Sequence, residues 1–271
     1  MKKKETIILV IVATVFVVLA IVFSVVSKKS PQYPEIKFND ETLKVSVDAS
    51  DDKLLEGVTA IDPEDGDVTD SLVVEGASNL VDGKKIKVVY AAFDSQNHVT
   101  KAERTVIFTN YKSPHFTLSA PMIFTPKNNT MLLTCVGAQD VFDGDISGNI
   151  KFSVEDDTSI NKPGEYVVKF SVTNRLGDMV TIPITVEIVE EAVNIDAIKL
   201  TDYLVYIGKG DDFNAADYLD SYAVGGTEHK SASGLKITNN VNTEEPGVYT
   251  VDYMYGSNKS GIRTRLIVVV E

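Results

Sequence analysis

A short acidic segment is written twice in this chain, 78 residues apart: Asp65-Gly66-Asp67-Val68-Thr69 and Asp143-Gly144-Asp145-Ile146-Ser147. Each copy leads through a turn into an alternating apolar run, Ile86 to Ala92 and Tyr166 to Val172, and a third such run spans Tyr249 to Tyr255. A repeat near 80 residues that carries strand signals and no long helical period predicts stacked β-sandwiches.

Alignment of the three runs sharpens the strand reading. The inward positions are Ile86, Val88, Tyr90 and Ala92, then Tyr166, Val168, Phe170 and Val172, then Tyr249, Val251, Tyr253 and Tyr255. The positions between them include Lys87, Lys169, Thr250 and Asp252, as period-two strands with one wet face require. A closing strand repeats through Val106 and Phe108, then Ile184, Val186 and Ile188, then Leu266, Val268 and Val270. Asp82-Gly83, Pro163-Gly164 and Pro246-Gly247 stand before the long strands, where a tight turn needs the φ freedom of glycine or the fixed φ of proline.

The formal net charge of −13 argues against nucleic acid or an anionic membrane surface as partner, because both would repel the array. Cations are its natural counterpart. The single Cys135 excludes an intrachain disulfide, so the sandwiches must hold by packing; its apolar setting in Leu132-Leu133-Thr134-Cys135-Val136 predicts a buried, inert thiol.

Lys2, Lys3 and Lys4 precede an apolar stretch from Ile7 to Val26, whose length matches a bilayer core of roughly 30 Å. It reads as an uncleaved signal anchor contacting lipid through residues 7–26, with the N-terminus cytoplasmic and the bulk of a single-pass cell-membrane protein extracellular. The expected fold is all-β: three tandem Ig-like β-sandwiches after one N-terminal transmembrane helix. Residues 1–30 form the basic tip and anchor, 31–110 and 111–190 the first two Ig-like domains, and 191–271 a divergent third. The joins are short and lack glycine-serine runs, which favours a semi-rigid rod.

The residues quoted above, Asp-Gly-Asp-Val/Ile-Thr/Ser followed by Pro-Gly-x-Tyr-x-Val and an Asn/Asp-x-x-Gly turn, resemble the Ig-like repeats carried in tandem on Gram-positive surface proteins. Related modules occur in pesticidal crystal proteins and in hyalin-type repeats. The likeness covers about residues 33–190; in the third unit only Pro246-Gly247-Val248-Tyr249-Thr250-Val251 and the closing strand match, and Gly225-Gly226-Thr227-Glu228-His229-Lys230 replaces the acidic loop. The resemblance implies a sandwich with a surface role and implies no catalytic residues.

Two candidate sites emerge. Asp62, Glu64, Asp65 and Asp67, with Asp140, Asp143 and Asp145 in the second copy, offer the clustered oxygens that calcium requires, although aspartate before glycine also builds an Asx-turn with no ion. Tyr203, Tyr206, Tyr218 and Tyr222 concentrate rigid amphipathic rings in the third unit, a ligand face or simply core. His98, His115 and His229 are scattered and no cleft-forming insertion is visible, so no enzyme and no cofactor beyond calcium are expected. The expected activity is a membrane-anchored binding or spacer protein, adhesin-like, contacting protein or glycan on the cell envelope or a host surface. The alternatives are a structural subunit of a membrane-associated complex and a carbohydrate-binding accessory module.

Overall fold

The computed structural model describes residues 12–23, 32–81, 83–126, 129–154, 160, 162–190, 193–195, 197–257 and 261–271. Its contacts divide the chain into two compact units, Met1–Ala77 with Lys87–Ile107 and Ser78–Ile86 with Phe108–Glu271.

One strand pattern recurs three times. The first set is β1 (Glu35–Phe38), β2 (Thr42–Val45), β3 (Val58–Asp62), β4 (Gly66–Asp67), β5 (Val73–Ala77), β6 (Lys85–Phe93) and β7 (Val99–Phe108). The second is β8 (His115–Leu118), β9 (Ile123–Phe124), β10 (Val136–Asp140), β11 (Gly144–Asp145), β12 (Lys151–Val154), β13 (Gly164–Thr173) and β14 (Met179–Ile188). The third is β15 (Ile198–Leu200), β16 (Leu204–Ile207), β17 (Leu219–Val224), β18 (Thr227–His229), β19 (Lys236–Asn239), β20 (Gly247–Tyr255) and β21 (Ile262–Val270). Each set makes a three-stranded and a four-stranded sheet, and the four-stranded orders β2-β7-β6-β5, β9-β14-β13-β12 and β16-β21-β20-β19 are the same order repeated.

The alternation read from the sequence decides which side chains enter each core. Val88, Tyr90 and Ala92, then Val168, Phe170 and Val172, then Val251 and Tyr253 are all buried. Tyr255, at the end of β20, is 41% exposed and departs from the inward pattern. Burying a side chain of this size contributes about 1.5–3 kcal/mol, so these strands dominate the stability of their sheets. In the first unit Tyr90 also donates its hydroxyl to Leu54 O at 2.8 Å, and buried Arg104 donates to Asp40 O and Glu56 O at 2.8 Å each. Tyr90 and Arg104 are thus paired, as burial demands.

The Pro-Gly-x-Tyr motif has a specific local role. Tyr166 donates its hydroxyl to Lys162 O and Tyr249 donates to Glu245 O, both at 2.9 Å and both to the residue four back, so each ring clamps the turn that opens its long strand. The third unit replaces the acidic loop with a β17–β18 hairpin. Gly225 and Gly226 both take positive φ, 58° and 83°, the geometry of a two-residue turn between twisted strands.

In the second unit the β8–β14 and β15–β21 strand sets pack as one body. Strand β21 is buried on both faces: Leu266 and Val268 enter the core with Tyr253, while Ile267 joins the core of Phe116, Ile184 and Val186. Between the two sets Arg265, 1% exposed, donates Nε to Asp252 Oδ1 at 2.6 Å and Nη2 to Glu165 Oε1 at 2.9 Å, and lies 3.1 Å from Glu187 Oε2. Arg263 closes the network on Glu187 Oε1 at 2.9 Å. Burial pushes the Glu187 carboxyl above its ordinary range, and the two guanidiniums partly offset that rise.

The N-terminal region corrects the sequence reading. Among the described residues no helix is long and apolar enough to cross a membrane. The described part of that segment, residues 12–23, is helical. The remaining ends of the segment from Ile7 to Val26 lie outside the described residues. The transmembrane helix in the expected fold class is therefore withdrawn, and with it the signal anchor, the lipid bilayer as partner, the single-pass cell-membrane localisation and the membrane-anchored function.

Candidate functional site

The acidic segments fold into loops whose carboxylates are occupied by the chain's own amides. Asp62 Oδ1 accepts from the amides of Glu64 and Asp65 at 2.7 and 2.9 Å, and Asp140 Oδ1 accepts from Phe142 and Asp143 at 2.8 and 3.0 Å. One residue pair further on, Asp67 takes the Thr69 amide and Asp145 the Ser147 amide, both at 2.9 Å. Hydrogen bonds from Thr69 and Ser147 hold both carboxyls below their usual range. Asp65 reaches across to Ser95 N at 2.7 Å, and Asp143 reaches Arg175 N at 2.7 Å. Glu64 accepts from Gln96 Nε2 at 3.0 Å. These are paired loop staples that tie the end of β3 to the β6–β7 turn, and the end of β10 to the β13–β14 turn. Among the described residues no three His, Cys, Asp or Glu side chains gather closely enough to hold a metal ion.

The copies differ at one buried point. Asn174 donates to Asp140 Oδ2 at 2.9 Å and to Tyr111 Oη at 2.9 Å, while Tyr111 donates to Asp178 at 2.6 Å. In the first copy Asp94 stands in the place of Asn174, pairing with His98 Nδ1 at 2.7 Å, and Asp62 Oδ2 has no hydrogen-bond partner.

The four tyrosines of the third unit occupy different places. Tyr203 and Tyr218 are half-buried against the core of that strand set, with Tyr218 stacked on Phe213 at 5.5 Å. Tyr206 accepts the Phe116 amide at 2.9 Å, and burial pushes its hydroxyl up to about 12. Tyr222 is 5% exposed and stacks on His229 at 4.9 Å.

Concave surface lies elsewhere, around the 3₁₀ turn Ser147–Asn149 that follows the second acidic segment. On one side a cleft of about 440 Å³ is lined by Gly148, Asn149, Ile150, Lys151, Ser171, Val172, Thr173 and Met179. That volume falls within the range of small-molecule sites. Lys151 faces Ser171 across the β12–β13 pair, and Met179 faces Thr173 across β13–β14, so the cleft is built from outward positions of three adjacent strands. The side chains of Asn149, Lys151, Ser171 and Thr173 make no hydrogen bond or ion pair among the described residues, and Met179 is 66% exposed. On the other side of the turn a second cleft of about 480 Å³ is lined by Thr117, Ser119, Leu133, Thr134, Cys135, Val136, Gly137, Ser147 and Gly148.

The sequence reading missed these clefts. The residues of each cleft come from segments up to 31 positions apart, and outward Ser, Thr and Lys on a strand read only as a wet face. Cys135 is a buried thiol at the edge of the second cleft.

No family model matches the chain. It is 33% identical over 125 residues, 44% of its length, to the pesticidal crystal protein Cry22Aa of Bacillus thuringiensis, of which it covers 16%. It is 34% identical over 139 residues, 49% of its length, to an uncharacterized 81.3 kDa protein of an Acholeplasma phage, of which it covers 18%. The chain thus spans less than a fifth of the curated proteins it matches. Among solved structures it is similar to the CBM51-2 and INT domains of Clostridium perfringens ZmpB, solved with GlcNAc, at 23% identity and a TM-score of 0.23, covering 55% of this chain and 26% of that one. A mouse cadherin-23 fragment matches at 12% identity and a TM-score of 0.20 over 89% of this chain and 99% of that one. The chain is therefore distantly similar to a pesticidal crystal protein over less than half of its length.

Proposed function

We propose that this chain is a non-catalytic carbohydrate-binding accessory module, built as tandem bacterial Ig-like repeats with domains at 31–110, 111–190 and 191–271. The single observation that supports the reading is the cleft beside Ser147–Asn149, where Asn149, Lys151, Ser171 and Thr173 present free polar groups around the apolar surface of Ile150 and Met179. Hydroxyls and amides both donate and accept, which suits a ligand dense in hydroxyl groups, and exposed methylene surface suits the C–H face of a sugar ring. The net charge of −13 favours a neutral glycan over an acidic one.

The test is retention on neutral polysaccharides in affinity electrophoresis, comparing the native chain with Asn149→Ala/Ser171→Ala. The reading expects retention on at least one neutral polysaccharide and its loss in the variant. Equal migration of both proteins on every polysaccharide tried removes it.

A further inference from the structure

The two clefts open in opposite directions. Thr117 and Gly137, which line the second, alternate with Phe116, Val136 and Ala138 on the three-stranded sheet, whereas Ser171 and Thr173, which line the first, alternate with Phe170 and Val172 on the four-stranded sheet. Phe116, Val136, Ala138, Phe170 and Val172 share one core, so the alternate positions of the two sheets point away from each other. Of the lining residues only Gly148, in the turn that carries the chain from β11 to β12, is common to both clefts.

The second cleft is shaped by a glycine that its strand does not need. Gly137 has no positive φ, and the first copy places Thr59 at the same position of β3, opposite Lys37. In the second copy Gly137 stands opposite Thr117, and a Cβ there would come 2.6 Å from Thr117 Oγ1 and 3.2 Å from Ser147 Oγ. Glycine thus lets the Thr117 hydroxyl sit low over the strand, and that hydroxyl makes no hydrogen bond among the described residues. Ser147 braces the wall through its bonds with Ala138 and Asp145, and Leu133, 45% exposed, supplies apolar surface. No Asp, Glu, Lys, Arg or His lines this cleft. Its chemistry is that of the first cleft without the charge: hydroxyls beside methylene surface, suited to a neutral ligand dense in hydroxyl groups.

We propose that the second cleft is a separate glycan site, and that one chain ties two polysaccharide strands together, one on each face of the sandwich. The proposal rests on the carbohydrate-binding reading above and adds valency to it. Sites that face apart cannot share one straight strand, so each takes its own, and binding to a polymer is accompanied by cross-linking. Lacking the amide of Asn149 and the ammonium of Lys151, the second cleft is the weaker of the two.

The test pairs calorimetry of the full chain with cello-, chito- and laminari-trisaccharides and light scattering of the full chain mixed with hydroxyethyl cellulose, glycol chitin or laminarin. In the series that binds, the expected result is two trisaccharides per chain, with scattering that rises toward equivalence of chain and polymer and falls again in excess chain. Thr117→Tyr fills the second cleft, and Leu133→Asp removes its apolar surface at an exposed position that tolerates the change if Thr117→Tyr fails to fold. Each variant with a native thermal melt should bind one trisaccharide per chain, stay retained on the polymer and lose the rise in scattering. One trisaccharide per native chain, or a rise in scattering that Leu133→Asp leaves intact, would overturn the second site and leave the carbohydrate reading standing. Absence of binding in every series would overturn both.

Discussion

Asn174 donates its side-chain amide to the buried Oδ2 of Asp140 at 2.9 Å, and the equivalent oxygen of Asp62 in the first copy has no such donor. One repeated loop is thus fully hydrogen-bonded in one copy and incomplete in the other, because Asn174 is replaced by Asp94. A buried carboxylate oxygen deprived of its partner costs about 1–3 kcal/mol. Asn174→Ala should therefore lower the stability of the second unit by that amount in urea unfolding, with the midpoint shifted and the slope unchanged. An unchanged midpoint would show that the Asn174 bond contributes nothing.

The Arg265 network predicts a larger loss. Arg265→Met leaves Asp252 and Glu187 facing each other without their main counter-charge, and removing one partner of a buried ion pair costs about 3–5 kcal/mol. Thermal unfolding of the second unit should move down by several degrees or more. A melt within one degree of the native chain would mean that solvent already screens these groups.

Glu187 gives the same network a pH dependence of definite sign. Its carboxyl is raised in the folded state by burial, so the folded chain holds that proton more tightly than the unfolded chain does. The resulting contribution is fully present below the ordinary carboxyl value of 4.5 and is lost as pH rises through the higher folded value. Glu187→Gln should flatten the melting temperature against pH across that window. Parallel curves for the two proteins would contradict the assignment.

The acidic loops carry a prediction about calcium. Asp65 and Asp67 accept from Ser95 and Thr69, so their replacement removes internal hydrogen bonds that each contribute about 0.5–1.5 kcal/mol. Asp65→Ala/Asp67→Ala should lower the melting temperature equally in calcium and in chelator. A loss seen only in calcium would make the loop an ion site.

Much of the scaffold was legible because strand burial has period two: Val88, Tyr90, Phe170 and Val251 could be placed inward from spacing alone. The positions of the acidic loops were legible too, but their role was not, since an Asx-turn and an oxygen-rich ion site use the same residues at the same spacing. Tyr222 and Tyr206 looked alike in sequence, yet one stacks on His229 and the other binds the Phe116 amide, a distinction set by contacts 7 and 90 residues away. Hydropathy alone suggested a spanning helix at residues 7–26, whereas among the described residues no helix is long and apolar enough to cross a membrane. The clefts were illegible for a different reason. Asn149, Ser171 and Met179 become neighbours only after β12, β13 and β14 pair in register.

The central claim, that the surface around Ser147–Asn149 binds a neutral glycan, is tested most directly by mapping amide chemical-shift changes during titration with the tightest-binding neutral oligosaccharide. The account predicts changes concentrated at Gly148–Lys151, Ser171–Thr173 and Met179. Changes centred instead on the tyrosines of the third unit, or none at saturating ligand, would contradict it.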